Sequence, residues 1–97
     1  MATTVENVAN NLFSSRFGKD LYSRFDKLDE EYNELKEAFS DYKQHKEGSR
    51  ERVLDELSDL QAVLSHVAHC MQTNTEELIM NAVIKVSIRD HNPLYKK

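Results

Sequence analysis

The sequence predicts an all-α fold: a four-helix domain with a central antiparallel helical hairpin, completed by oligomerisation. Three observations lead there. Apolar residues recur three and four apart over long stretches, the period of an amphipathic helix. The 97 residues include 2 Gly and 1 Pro, too few turn formers for a sandwich or barrel of many short strands. Hydrophobic residues make up 39% and charged residues 31%, so a chain this short is marginal as a lone monomer.

A first helix is expected from about Thr4 to Ser15, with Val5, Val8, Ala9 and Leu12 at helical spacing. Thr3 and Glu6 have the spacing of a capping box, in which hydroxyl and carboxylate each take a backbone amide. Gly18 then permits a break. The second and longest helix is expected from about Asp20 to Lys46, striped by Leu21, Phe25, Leu28, Tyr32, Leu35, Phe39 and Tyr42. Gly48 suits the left-handed position after a helix end. Ser49 is expected to cap a third helix, from about Arg50 to Met71, striped by Val53, Leu57, Leu60, Leu64, Val67 and Met71. Thr73 and Glu76 suggest another capping box. It precedes a fourth helix, from about Thr75 to Asp90, which presents Leu78, Ile79, Ala82, Val83 and Val86. His91-Asn92-Pro93 ends it. No repeat, linker or low-complexity tract divides the chain, so residues 1–97 read as one domain. The short connection between the second and third helices makes them antiparallel neighbours.

Composition also excludes function classes. One Cys rules out an intrachain disulfide framework and any Cys-rich zinc module. No apolar run approaches the ~20 residues of a membrane span. Met1–Asn10, with Glu6 and no basic residue, does not read as a signal peptide. Asp+Glu 17 against Lys+Arg 13 leaves a net charge of −4, so no general basic surface for a nucleic acid polymer is expected. The expectation is a soluble, cytoplasmic protein with neither membrane nor nucleic acid as partner.

The chemistry lies in where the acids sit relative to the stripes. With Leu28 at zero, Glu31 falls at ~300° on a helical wheel, inside the apolar arc, and Glu34 at ~240°, on its edge. With Leu57 at zero, Glu56 falls at ~260°, between Val63 at ~240° and Val67 at ~280°, and Asp59 at ~200°. An isolated buried carboxylate is costly unless protonated or paired. Glu31/Glu34 and Glu56/Asp59 each have i, i+3 spacing, so each pair faces one side of one turn. Two such pairs across a hairpin make an all-oxygen cage suited to Mg²⁺ or Mn²⁺. A redox di-iron bundle carries Glu-x-x-His on two helices, and this chain has no such motif. Acidic pairs also arise by chance on solvated faces, the reading given to Asp26/Asp29 and Glu34/Glu37.

On the fourth helix Asn81, Lys85 and Arg89 step by four into one polar ridge. Arg as a fork and Lys as a point charge can bind successive phosphates, the alternative being an ordinary solvated stripe. No Gly-rich phosphate loop is present. His66, His69 and Cys70 lie within one turn at ordinary spacing and read as packing residues rather than a soft-metal site. Phe13, Phe17, Tyr22 and Phe25 read as core or interface.

Glu30-Glu31-Tyr32-Asn33-Glu34, followed after residues 35–55 by Glu56-Leu57-Ser58-Asp59, reads EExxE…ExxD. From about Asp20 to Arg89 the chain thereby resembles the MazG-type, all-alpha nucleotide pyrophosphohydrolase superfamily, which includes dimeric dUTPases and phosphoribosyl-ATP pyrophosphohydrolase. Lys85-x-x-x-Arg89 is similar to the basic residues those enzymes carry on a later helix. The resemblance implies a Mg²⁺-dependent nucleoside triphosphate pyrophosphohydrolase, with Mn²⁺ as a substitute. It would cleave between the alpha and beta phosphates to give a nucleoside monophosphate, ribo or deoxy, and pyrophosphate. By position it implies Glu31, Glu34, Glu56 and Asp59 as metal ligands and Glu30 as the residue that orients or deprotonates the attacking water. It likewise implies Asn81, Lys85 and Arg89 as phosphate contacts, an aromatic or polar residue near the first helix that holds the base, and a homodimer or homotetramer with sites near subunit interfaces. Phosphoribosyl-ATP hydrolysis is the alternative within the enzyme class. A non-enzymatic helical adaptor or regulator, its acidic seam an interaction surface, is the alternative outside it.

Overall fold

The computed structural model describes residues 4–91. They form α1 (Thr4–Phe17), α2 (Leu21–Lys43), α3 (Ser49–Cys70) and α4 (Thr75–His91), with no strand among the described residues. No helix among them is long and apolar enough to cross a membrane.

The helix ends follow local chemistry. Gly18, at φ +75°, ends α1 with its N–H on the Ser14 carbonyl at 3.0 Å. Asp20 caps α2, its carboxylate accepting from the Ser23 N–H at 3.2 Å. α2 stops at Lys43, short of the expected Lys46, because His45 (φ 57°) and Gly48 (φ 75°) both take the left-handed conformation and turn the chain. Ser49, expected as the cap of α3, is its first residue instead, and its hydroxyl donates to the Lys46 carbonyl at 2.6 Å. The box expected at Thr73 and Glu76 shifts by one residue. Asn74, just before α4 and a better cap than Thr, accepts from the Glu77 N–H at 2.9 Å, and the Thr73 hydroxyl donates to the Glu77 carboxylate at 2.7 Å. The Glu6 carboxylate accepts from the Thr75 N–H at 3.0 Å and so ties the start of α4 to α1. Thr3 and the Asn92-Pro93 stop lie outside the described residues.

α2 and α3 pack together on either side of the 44–48 turn, α1 lies on α3, and α4 packs on α3 but not on α2. Near the turn Asp41 meets Arg52, and at the far end Arg24 and His66 line one cleft.

The apolar stripe of α2 is not centred on this seam: Leu21, Leu28 and Leu35 are half-buried and its aromatic residues are exposed. The buried residues of α2 are Arg24, Glu31 and Ala38, seven apart, the repeat of a coiled-coil seam. On the wheel set by Leu28 they fall at ~320°, ~300° and ~280°, about 70° to one side of the stripe's centre. Phe25, expected in the core or an interface, and Tyr32 of the stripe stay 51% and 50% exposed, and Phe39 and Tyr42 are exposed with them. On α3, Val63, His66, Val67 and Ala68 are buried, whereas Leu57, Leu64 and Met71 are exposed. Among the described side chains of α4 none is buried, and Ile79, Val83, Val86 and Ile88 are each more than half exposed. The chain thus holds charge inside its main helix pair and leaves much of its hydrocarbon outside.

Candidate metal centre

Glu31 and Glu34 stand one turn apart on α2, opposite Glu56 and Asp59 on α3. One carboxylate oxygen from each of Glu31, Glu56 and Asp59 lies within 4.8 Å of the others. The charges of Glu31 and Glu56 both act on Glu34. The structure therefore brings together three of the four acids expected to converge, with Glu34 one turn along α2 from Glu31. Glu31 is 5% exposed, and its Oε1 takes an ion pair from Lys27 Nζ at 3.0 Å. Its Oε2, and Oε2 of Glu56, are buried with no hydrogen-bond partner among the described residues.

Two buried carboxylate oxygens, acceptors only, are thus left unsatisfied in one place, each at a desolvation cost. The charge of Glu31, with burial and the charge of Glu56 behind it, raises the Glu34 carboxyl above its ordinary value. Burial first, then the charge of Glu31, raises Asp59. Crowded carboxylates that resist ionisation together are what a strong cation relieves. An all-oxygen donor set with two orphaned inner oxygens fits Mg²⁺ or Mn²⁺.

The other expected residues are placed differently. Glu30 keeps its side chain 57% exposed, its carboxylate 3.5 Å from Lys27 Nζ. It is not among the three converging acids. Asn81, Lys85 and Arg89 are exposed on α4, which does not pack on α2. Within one chain the structure does not bring them to the acid cluster.

Beside the cluster opens a cleft of about 470 Å³. Glu31 and Asp59 form its acidic side, Phe13 and Phe17 come from α1, Arg24 and Lys27 from α2, and Ala62, Val63 and His66 from α3. His66 is fully buried. Its Nε2 lies 3.0 Å from the Ser14 hydroxyl, and its ring meets Phe13 edge to face at 5.8 Å. Burial first, then the charge of Arg24, pushes the imidazole below its usual pKa, so it is neutral at pH 7. The Arg24 guanidinium sits over the Phe17 ring, 5.0 Å from its centroid. Nδ1 of His66 and Nε of Arg24 have no hydrogen-bond partner among the described residues. Aromatic walls beside unsatisfied polar edges suit a flat heteroaromatic ligand with a polar rim. Cys70 Sγ lies 3.8 Å from His66 Nε2, but the acidic trio is the one metal-capable group among the described residues.

Arg24 and Lys27 escaped the reading of the sequence as site residues, although a signal existed. They precede Glu31 by seven and by four, on the same helix face.

Compared with protein-family models, curated proteins and solved structures, the chain matches none. The ground for a function is therefore the chemistry of the acids and of the cleft beside them.

Proposed function

We propose that the protein is a Mg²⁺-dependent nucleoside triphosphate pyrophosphohydrolase that splits the bond between the alpha and beta phosphates. The observation that carries the reading is the pair of buried, partnerless oxygens, Glu31 Oε2 and Glu56 Oε2, in an acid cluster that borders a cleft lined by Arg24 and two phenyl rings.

Glu31, Glu34, Glu56 and Asp59 hold the metal, which when bound neutralises phosphate charge and lowers the pKa of a coordinated water. Arg24 offers its guanidinium to the polyphosphate as a planar fork. Phe13 and Phe17 take the face of the base. Glu30, as the group that orients or deprotonates the attacking water, has to turn inward from Lys27.

Asn81, Lys85 and Arg89 meet a phosphate only from a second copy of the chain. The exposed stripe of α2 and α3 and the unburied α4 favour such a copy, in a dimer or tetramer built on the α2–α3 pair as an antiparallel hairpin. Phosphoribosyl-ATP would use the same acids.

The test is release of pyrophosphate and monophosphate from a panel of ribo- and deoxynucleoside triphosphates, oxidised bases and phosphoribosyl-ATP, with Mg²⁺ or Mn²⁺. Glu34→Gln and Asp59→Asn are each expected to remove the activity. Full turnover in both variants overturns the ligand assignment. No release from any substrate by metal-loaded protein overturns the enzyme and leaves a helical adaptor.

A further inference from the structure

Among the described residues the acid cluster has one ion-paired cation, and that cation has a second place to go. Lys27 Nζ lies 3.0 Å from Glu31 Oε1 and 3.5 Å from Glu30. Its side chain is 38% exposed and lines the same cleft as Arg24. A single ammonium offsets only part of the charge of Glu31, Glu34, Glu56 and Asp59. Its hold is also of the weaker kind, because Lys precedes Glu by four along the helix, against the orientation that the helix dipole favours. A divalent cation among these acids competes with Nζ for Glu31 Oε1 and repels it. Nζ is a compact charge on a flexible four-carbon stem. Once displaced, it needs no backbone movement to point into the cleft that the stem already borders.

We infer that Lys27 is a tethered stand-in cation: it holds Glu31 in the metal-free protein and, when metal takes Glu31, turns into the cleft and binds the anionic phosphate of the ligand there. Metal binding and phosphate binding are thereby positively coupled, and by linkage the coupling runs both ways. This rests on the reading of the acid cluster as a metal site.

The test measures Mn²⁺ affinity by calorimetry for the full chain and for Lys27→Met and Lys27→Gln. In parallel, the acylation of Lys27 in the unaltered protein is followed by mass spectrometry. Both variants are expected to bind Mn²⁺ more tightly, on the order of tenfold, because a competing charge is gone. Lys27 in the unaltered chain is expected to become more reactive on addition of Mg²⁺ and to be protected again by inorganic phosphate. Unchanged or weaker Mn²⁺ binding in both variants overturns the proposal and leaves Lys27 as a structural ion pair. Reactivity indifferent to Mg²⁺ or to phosphate overturns it as well. If the unaltered chain binds no Mn²⁺, the metal site itself fails and Lys27's role falls with it, an outcome distinct from the other two.

Discussion

The α2–α3 pair carries two acidic clusters, built in opposite ways. Near the turn, Asp41 accepts from Lys46 at 3.0 Å and from Arg52 at 2.9 Å, with Glu37 3.8 Å from Arg52. Acid and base are balanced there, and Lys46, by its hydrogen bond above all, holds the Asp41 carboxyl below its ordinary value. Farther along, Lys27 pairs with Glu31 beside Glu34, Glu56 and Asp59, two inner oxygens go unpaired among the described residues, and Glu34 and Asp59 are pushed up. The contrast does not come from a shortage of bases. Lys36 and Lys43 of the same helix lie over the rings of Tyr32 and Phe39, at 4.8 and 5.6 Å from the centroids. These two cations of α2 lie on exposed aromatic faces rather than beside the acids of the seam. The cluster at the turn fastens a corner. The cluster in the seam costs stability until something positive fills it.

The largest difference between the two should appear on adding metal. A ligand that binds only the folded chain stabilises it by about 2.7 kcal/mol at a hundred times its dissociation constant. For a chain of this size that is a rise in Tm on the order of 10 °C. Mn²⁺ is therefore expected to produce a rise of this order in the unaltered protein and in Asp41→Asn, and none in Glu56→Gln. Thermal unfolding with and without Mn²⁺ checks this. Equal shifts in Glu56→Gln and Asp41→Asn would erase the distinction.

pH should separate the clusters by sign. Glu34 is raised in the fold, chiefly by the charge of Glu31. Its contribution is therefore fully present below its unfolded value of about 4.5 and lost as pH rises through the raised one. Asp41 is lowered, so its contribution is present above about 3.8 and lost as pH falls through the lowered value. Metal-free Glu34→Gln is expected to be more stable than the unaltered chain at pH 7, with the advantage shrinking toward pH 4.5. Asp41→Asn is expected to be less stable at pH 7, with the deficit closing only in strong acid. Buried His66 is lowered too and loses stability as pH falls below 6.5, but it is common to all three proteins and cancels in the differences. Urea midpoints across this range give the answer, and a Glu34→Gln chain less stable than the unaltered one at pH 7 refutes the repulsion.

The approach of Glu31, Glu56 and Asp59 is legible in the sequence, because i, i+3 spacing and the 100° step set the acids of each helix on one side of one turn. The seam itself was only partly legible. Phe25, Tyr32 and Phe39 dominate the hydrophobic period of α2, yet within one chain they stay about half exposed, and Arg24, Glu31 and Ala38 are the buried residues of the helix. Periodicity reports the sum of every surface that avoids water, between chains as well as within one. The heptad step from Arg24 to Glu31 to Ala38, small and polar, was outvoted by bulkier neighbours. Lys85 and Arg89 were placed on one face of α4, but whether that face meets the acids depends on the path of α4 relative to α2, for which no local pattern speaks.

The smallest expected effect concerns salt, and it tests whether the turn cluster is only a fastening. Arg52 and Asp41 meet at the surface, with side chains 44% and 31% exposed. Exposed pairs of this kind contribute little and are screened, since the Debye length falls to about 3 Å at 1 M salt. Arg52→Met should therefore lower the unfolding midpoint slightly in dilute buffer and hardly at all in concentrated NaCl. The Mn²⁺ shift should survive the same salt in reduced form, because carboxylates that contact a metal directly leave no room for screening ions between them. A midpoint that falls steeply in Arg52→Met and stays low at high salt would give the turn cluster a structural weight of its own. The orphaned oxygens of Glu31 and Glu56 would then be the sole feature setting the seam apart.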